Sequence, residues 1–586
     1  MRPKAYPLLL GTRNRPAIDW NFAGSGSLPA ALTFSRSSLA TMYDASGTLV
    51  WCPHNLLTYS EQIDNAAWAK IGLGAGSTPV VTANAGVAPD GTTTAERVQL
   101  NCGGSTISDR SICNQSVSGL IAGRQYTGAI YIKAYSAGEV GKQLRLFGDS
   151  LVTEAVVTLT ADWQLVQTSG TAAAASGNFG LETRGTVTAN TTADFLVWGA
   201  RLSIGPLQPY YPTTSAAYYG PRLTYDPVTH AALGLLVEEQ RTNLLTYSDQ
   251  LDNAAWTKTN ATVTADATAG PDGLVTADKL VDSAATGLHA LSVIATITAG
   301  ASYTLSMFLK PAEYSRGRLY FGSGANGFQV DFDLSGGGSV SGGTALGTGT
   351  YTSATITAVA NGFYRVAVSG IVDASSTSGT LYCYMHNGAS VSYTGVVGNG
   401  MYFGGRQLEA GAFATSYIPT GAASATRAAD VVTCTGSAFS SWFNATEGTL
   451  VVEFVCPSVS STIYQRAFSM RDNAETKRLE AYVDVSGALT AYLVGSAGDS
   501  KVLVGSVTPR AIYKAAIAAD ASTASAVANG GAVSSLAAAG VLSAMQKLTL
   551  GNSGDVSMAG ALNSSIKRIR YWPRRLTNAQ LQALTA

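Results

Sequence analysis

Charge is scarce in this chain. Only 13% of its 586 residues are charged, and lysine plus arginine balances aspartate plus glutamate at 37 each. That balance argues against nucleic acid as a partner, because phosphate binding needs a concentrated basic surface. Hydrophobic residues make up 46%, which excludes a charged, disordered tail protein. Six cysteines are too few for a disulfide framework. Cys102 and Cys113 flank a polar segment at a spacing that would allow a hairpin bond, with buried thiols as the plainer alternative. There is no Cys-x-x-Cys or Asp-x-Asp-x-Asp-Gly, and His54, His230, His289 and His386 are scattered. No metal and no cofactor are expected.

Long apolar runs are missing too. None approaches the roughly 18–20 residues of a membrane span, so no membrane insertion is expected. Near the start only Leu8 to Leu10 are consecutively apolar, short of the roughly 7–15 residues of a secretory signal. The expectation is a soluble protein made in a cytoplasm.

What is plentiful is glycine, 63 residues, with alanine, serine and threonine around it. That composition favours short strands joined by tight turns. It also hides a repeat. Residues 55–70 read NLLTYSEQIDNAAWAK, and residues 243–258 read NLLTYSDQLDNAAWTK. Pro89-Asp90-Gly91 answers Pro271-Asp272-Gly273, the strand from Tyr126 to Lys133 answers Tyr303 to Lys310, and Trp163 answers Phe363. The offset is 188 at the start (243 against 55), 182 at the turn (272 against 90), 177 at the tyrosine strand (303 against 126) and 200 at the aromatic block (363 against 163). Insertions therefore fall between matching blocks, as loops on a fixed scaffold do. Within the blocks the alternation is that of strands: Tyr303, Leu305, Met307 and Leu309 share a face. The expected fold class is all-β, with tandem jelly-roll sandwiches at 55–212 (module 1) and 243–420 (module 2). Residues 1–54, a connector at 213–242 and a third sandwich at 430–586 frame them. Thr577 and Gln580 form a capping box that starts a short helix near the end.

The NLLTYS…NAAW strings, with the connector GPRLTYDPVTHAALGLLVEEQRTNLL, resemble repeated modules of bacteriophage virion fibre and spike proteins. More distantly they resemble jelly-roll carbohydrate-binding modules. In the phage family Phe34-Ser35-Arg36-Ser37-Ser38 and Tyr43-Asp44-Ala45-Ser46-Gly47 sit just upstream of such a module; here module 1 is inserted in between. The ending, from Gly448-Thr449-Leu450-Val451-Val452 to Arg568-Ile569-Arg570-Tyr571-Trp572, is similar to concanavalin-A/laminin-G-like sandwiches. The resemblance implies a virion protein that is homo-oligomeric, often trimeric, with other virion structural proteins and a host cell-surface polysaccharide as partners.

Several enzyme-like motifs compete with that reading. Phe147-Gly148-Asp149-Ser150-Leu151 spells a GDSL esterase nucleophile, yet no histidine has the aspartate three residues before it that such a base uses. Gly322-Ser323-Gly324-Ala325-Asn326-Gly327 fits GxGxxG but leads into an alternating strand, not a helix. Asp331 and Asp333 share a strand face at carboxylate-pair spacing and read as solvated. Glu238 and Glu239 are adjacent, so on a strand they point to opposite faces. Trp68 and Trp256 occupy equivalent places in both modules and read as core, with sugar stacking as the alternative. The residues proposed for carbohydrate binding are those that differ between copies: Tyr320, which stands where module 1 has Leu146, and Tyr382, Tyr384 and His386, which alternate on one strand. An internal aromatic cluster is the competing account. Lys567, Arg568, Arg570, Arg574 and Arg575 read as a charged edge strand, with an acidic polysaccharide contact as the alternative.

The function expected from the sequence is a non-enzymatic virion fibre or spike, anchored through residues 1–54 and adhering to host glycan. A virion depolymerase or esterase and a ligand-free decoration protein are the alternatives. No catalytic residue is assigned.

Overall fold

The computed structural model describes residues 15–586, apart from 461, 497, 539 and 555–559. Residues 1–14, on which the secretory-signal reading rests, lie outside the described residues. The protein is all-β, built of antiparallel sheets packed as sandwiches. The chain divides into two compact units: residues 51–220 with 419–424, and residues 1–50 with 221–418 and 425–586.

The first unit holds module 1. One five-stranded sheet runs Gln164–Thr171, Gln125–Ala134, Thr192–Ile204, Ala95–Asn101, Val80–Gly86; the other runs Val152–Thr158, Gln143–Gly148, Ser176–Arg184, Arg110–Ser118, Ala69–Leu73. Cys102 and Cys113 are buried and form no disulfide, and burial pushes the Cys113 thiol up to about 12.

In the second unit, module 2 repeats this plan with two six-stranded sheets. Tyr303, Leu305, Met307 and Leu309 all enter its core, as their alternation predicts. The same residues pin both modules. Asn55 Nδ2 donates to the carbonyls of Ala200 and Tyr211 while its Oδ1 accepts from the Leu57 and Leu202 N–H groups. Asn243 repeats all four bonds with Arg406, Ile418, Leu245 and Leu408. Trp68 and Trp256 are 2% and 1% exposed. Each indole N–H donates to the carbonyl nine residues earlier, of Tyr59 and Tyr247, and both tyrosines sit at φ 49°. What the copies share is framework, and the tryptophans belong to it.

The third sandwich is not the linear block 430–586. Its eight-stranded sheet contains Arg222–Tyr225 and Ala232–Val237 from the connector, and Ile18–Asn21 from the N-terminal segment pairs with Ser564–Trp572. Its seven-stranded sheet takes Thr33–Ser35 beside Val431–Thr435. Segments 1–54 and 213–242 therefore supply strands to this sandwich, and module 1 is inserted between them in sequence. The sequence showed the insertion but not the shared strands, because a strand's pairing partner is chosen by buried faces meeting in space; Leu235 and Val237 are fully buried in this core. The basic strand Ser564–Trp572 is likewise not an edge: Gly448–Val455 pairs on one side, and Ala232–Val237 and Ile18–Asn21 on the other. Arg568 is paired to Asp19 and Lys567 donates to the Ala232 carbonyl. The terminal helix Asn578–Thr585 starts on the Thr577–Gln580 capping box.

Candidate functional site

Strands Arg316–Ser323, Asn326–Asp333 and Ser378–His386 lie side by side in one sheet of module 2. Their alternate residues Leu319, Phe321, Val330, Phe332, Leu381, Cys383 and Met385 face the core. The pleat must then send Arg318, Tyr320, Tyr382 and Tyr384 to the opposite face. Register brings them together: Tyr320 stands opposite Tyr382, and Arg318 opposite Tyr384. The Tyr382 and Tyr384 rings stack with centroids 5.2 Å apart and planes at 10°, and Tyr320 lies 6.0 Å from Tyr382. Tyr382 and Tyr384 are half-buried, whereas Tyr320 is 7% exposed and donates its hydroxyl to the Gly324 carbonyl. Burial and the neighbouring Tyr382 phenol push Tyr384 up to about 12, so it remains a hydrogen-bond donor at any physiological pH. His386 is not part of the stack; its Nδ1 accepts from the Gly388 N–H in its own turn.

Asp331 and Asp333 lie partly exposed on the outer face, as read, and each is also held by an arginine across the strand. Arg318 grips Asp331 with two bonds of 2.6 and 3.0 Å, and Arg316 lies 2.7 Å from Asp333. Burial alone would raise Asp333, but Ser335 and Arg316 hold it down at about 2. The face thus combines a tyrosine platform with two neutralised ion pairs. Its polar partners escaped sequence reasoning because cross-strand register is not visible in a single strand.

Module 1 carries different chemistry on the same scaffold. The shared lysine fixes the comparison: Lys70, Cys113, Leu181 and Leu146 form one cross-sheet row, as Lys258, Leu291, Cys383 and Leu319 do. Tyr320 therefore corresponds to Phe147, not Leu146, a one-residue shift that moves a side chain to the other face. Tyr382 and Tyr384 correspond to Gly180 and Glu182. The tyrosine platform belongs to module 2 alone.

No protein-family model and no curated protein matches this chain. Solved structures similar to it include three of stated kind. The CBM40 of the Ruminococcus gnavus IT-sialidase, bound to α2,3 sialyllactose, is 16% identical over 25% of this chain and 87% of its own, with TM-score 0.23. The tandem CBM22-1–CBM22-2 of Paenibacillus barcinonensis Xyn10C is 14% identical over 61% and 98%, with TM-score 0.22. Domains LG4-5 of the mouse laminin α1 chain are 10% identical over 49% and 90%, with TM-score 0.17.

The enzyme-like motifs resolve into turns. Ser150 sits at φ 60° between strands Gln143–Gly148 and Val152–Thr158, and Gly322 to Gly327 is the hairpin joining two strands of the tyrosine sheet. Glu238 is different. It is buried at the centre of a charge cluster, bound by Arg427 and by Arg222 at 2.6 Å, with Ser416 Oγ donating at 2.6 Å. Asp430, fully buried, takes Arg222 and, at 2.7 Å, Arg36. Burial would raise both acids, but Arg427 and Arg222 pull Glu238, and Arg222 and Arg36 pull Asp430, well below the usual carboxylate range. The cluster ties the Phe-Ser-Arg-Ser-Ser segment and the connector to module 2 and the third sandwich.

Proposed function

We propose that this protein is a non-enzymatic, virion-borne fibre or spike that adheres to host-surface glycan through the tyrosine face of module 2. The observation that carries this reading is the Tyr382–Tyr384 stack with Tyr320, set outside the core beside the Arg318–Asp331 pair. Aromatic faces offer a sugar ring apolar contact, and fixed ion pairs offer hydrogen bonds to its hydroxyls. The repeat and the phage-like strings support the particle setting, with oligomeric assembly as a homotrimer.

The test is a glycan array probed with the full chain and with Tyr382→Ala and Tyr384→Ala. Retention by the parent and a loss of about tenfold in each variant are expected, from about 1–1.5 kcal/mol per aromatic contact. If no glycan or host cell retains the parent, the adhesion reading fails. Release of reducing ends from host capsule would replace it with an enzymatic one.

A further inference from the structure

A second aromatic surface stands on the seven-stranded sheet of the third sandwich. Strands Gln465–Arg471, Arg478–Val483, Ala488–Gly495 and Gly498–Ser506 are consecutive in that sheet. Phe468, Met470, Leu479, Ala481, Leu489, Ala491 and Leu493 face the core, so the intervening residues line the other side. There Tyr464, Tyr482 and Tyr492 form a chain, with centroids 5.1 Å apart for the first pair and 6.1 Å for the second. Tyr464 is 48% exposed. Guanidinium groups lie over the next two rings: Arg466 is 5.8 Å from the Tyr482 centroid, and Arg478 is 5.7 Å from that of Tyr492.

Among the described residues, two cations on this side stand without an ion-pair partner. Glu480 is fully buried and already engaged by Arg466, Arg471 and Ser469. Asp499 accepts from the Tyr492 hydroxyl at 2.6 Å, and Lys547 has Glu475 at 3.8 Å. Arg478 and Lys501 have no carboxylate at ion-pair distance among the described residues, and Arg478 Nε is shielded from water without a hydrogen-bond partner. Lys501 is exposed and stands opposite Tyr492 across the strands. An unspent guanidinium and an unspent ammonium therefore flank a tyrosine ladder with one open ring. The module 2 face differs, since its arginines are spent on Asp331 and Asp333.

We infer that this surface takes an acidic glycan, a pyranose chain bearing carboxylates, with Tyr464 under a sugar ring and Arg478 and Lys501 against the carboxylates. Planar guanidinium recognition of carboxylate and aromatic stacking on a ring are the two contacts such a chain requires. Nucleic acid fits less well, because two unspent cations are far from a phosphate track. This inference does not depend on the module 2 site.

The test uses the full chain in biolayer interferometry with polygalacturonate, its methyl ester, hyaluronate and single-stranded DNA. Polygalacturonate or hyaluronate should bind, weaken as salt rises from about 50 to about 300 mM, and lose about tenfold in affinity with Arg478→Met or Tyr464→Ala. The methyl ester, identical in ring but uncharged, should not bind. Tyr382→Ala should leave this binding unchanged, which separates it from the module 2 reading. Circular dichroism melting of the two variants checks that both remain folded. Failure of both carboxylated chains to bind, equal binding of the methyl ester or of DNA, or full binding by folded variants would each overturn the inference.

Discussion

Replacing Glu96 with glutamine should remove most of the pH dependence of module 1's stability. Glu96 is 2% exposed, and its Oε2 accepts from the Asp64 N–H at 2.7 Å, in the turn that carries the repeated tryptophan. Module 2 has Asp278 in the corresponding place, accepting from the Leu251 N–H at 2.5 Å. There the buried Arg406 lies in the field of Asp278 and over the Trp256 ring at 4.8 Å. The Asn55 and Asn243 bonds equate Arg406 with Ala200, so module 1 has the acid without the arginine. Burial, together with the neighbouring Asp64, pushes Glu96 from 4.5 up to about 8.

The folded protein therefore keeps a proton that the unfolded chain gives up. Glu96 contributes most below about pH 4.5, and that contribution is lost as pH rises through about 8. At 1.36 kcal/mol per pH unit the whole window is worth at most about 5 kcal/mol. Relaxation of the side chain toward water brings the expected loss to about 2–3 kcal/mol. Hydrogen exchange across strand Ala95–Asn101 and the Trp68 turn, corrected for intrinsic rates, should show protection falling between about pH 5.5 and 8.5 in the parent. In Glu96→Gln it should stay nearly flat. Equal slopes in both proteins, or a flat parent, would refute the reasoning.

Cutting the buried charge cluster should be costly: Glu238→Gln leaves Arg427 and Arg222 without their shared carboxylate and should destabilise the second unit by about 3–5 kcal/mol in urea unfolding. Because Glu238 and Asp430 are held below the usual range, their stabilisation is present above the ordinary carboxylate pKa and should disappear on acidification, visible as a falling calorimetric midpoint below about pH 4. Trp256→Ala should cost about 3–5 kcal/mol through the cavity it leaves, whereas Tyr382→Ala, on the outer face, should cost less than about 1 kcal/mol; equal losses would place the tyrosine in the core. Asn243→Ala removes four buried bonds and should cost about 2–4 kcal/mol, and Asn55→Ala should do the same to module 1.

Much of the architecture was legible beforehand. Alternation identified the strands, the repeat identified two copies of one sandwich, and the retention of Trp68 and Trp256 marked them as core. These are local or internal signals, since a residue's face within a strand depends only on its parity and the period of two. Tyr382 and Tyr384 could be placed on one face for that reason. Their partners Arg318 and Asp331 could not, because cross-strand neighbours depend on register.

Glu238 shows the same limit more sharply. Beside Glu239 it reads as one of two acids on opposite strand faces that cannot cooperate, yet it is neutralised by arginines 16 residues upstream and 189 residues downstream. Likewise the strands Ile18–Asn21 and Ala232–Val237 join a sandwich most of whose strands lie far along the chain, between Val431 and Trp572. What the sequence determined by itself is the all-β class, the doubled module and which residues are shared framework. Only tertiary structure decided which segments complete the third sandwich and which charges are spent. Pairing and charge compensation are settled where buried surfaces meet, and a buried arginine is paired by proximity in space, however far away its partner lies in the chain.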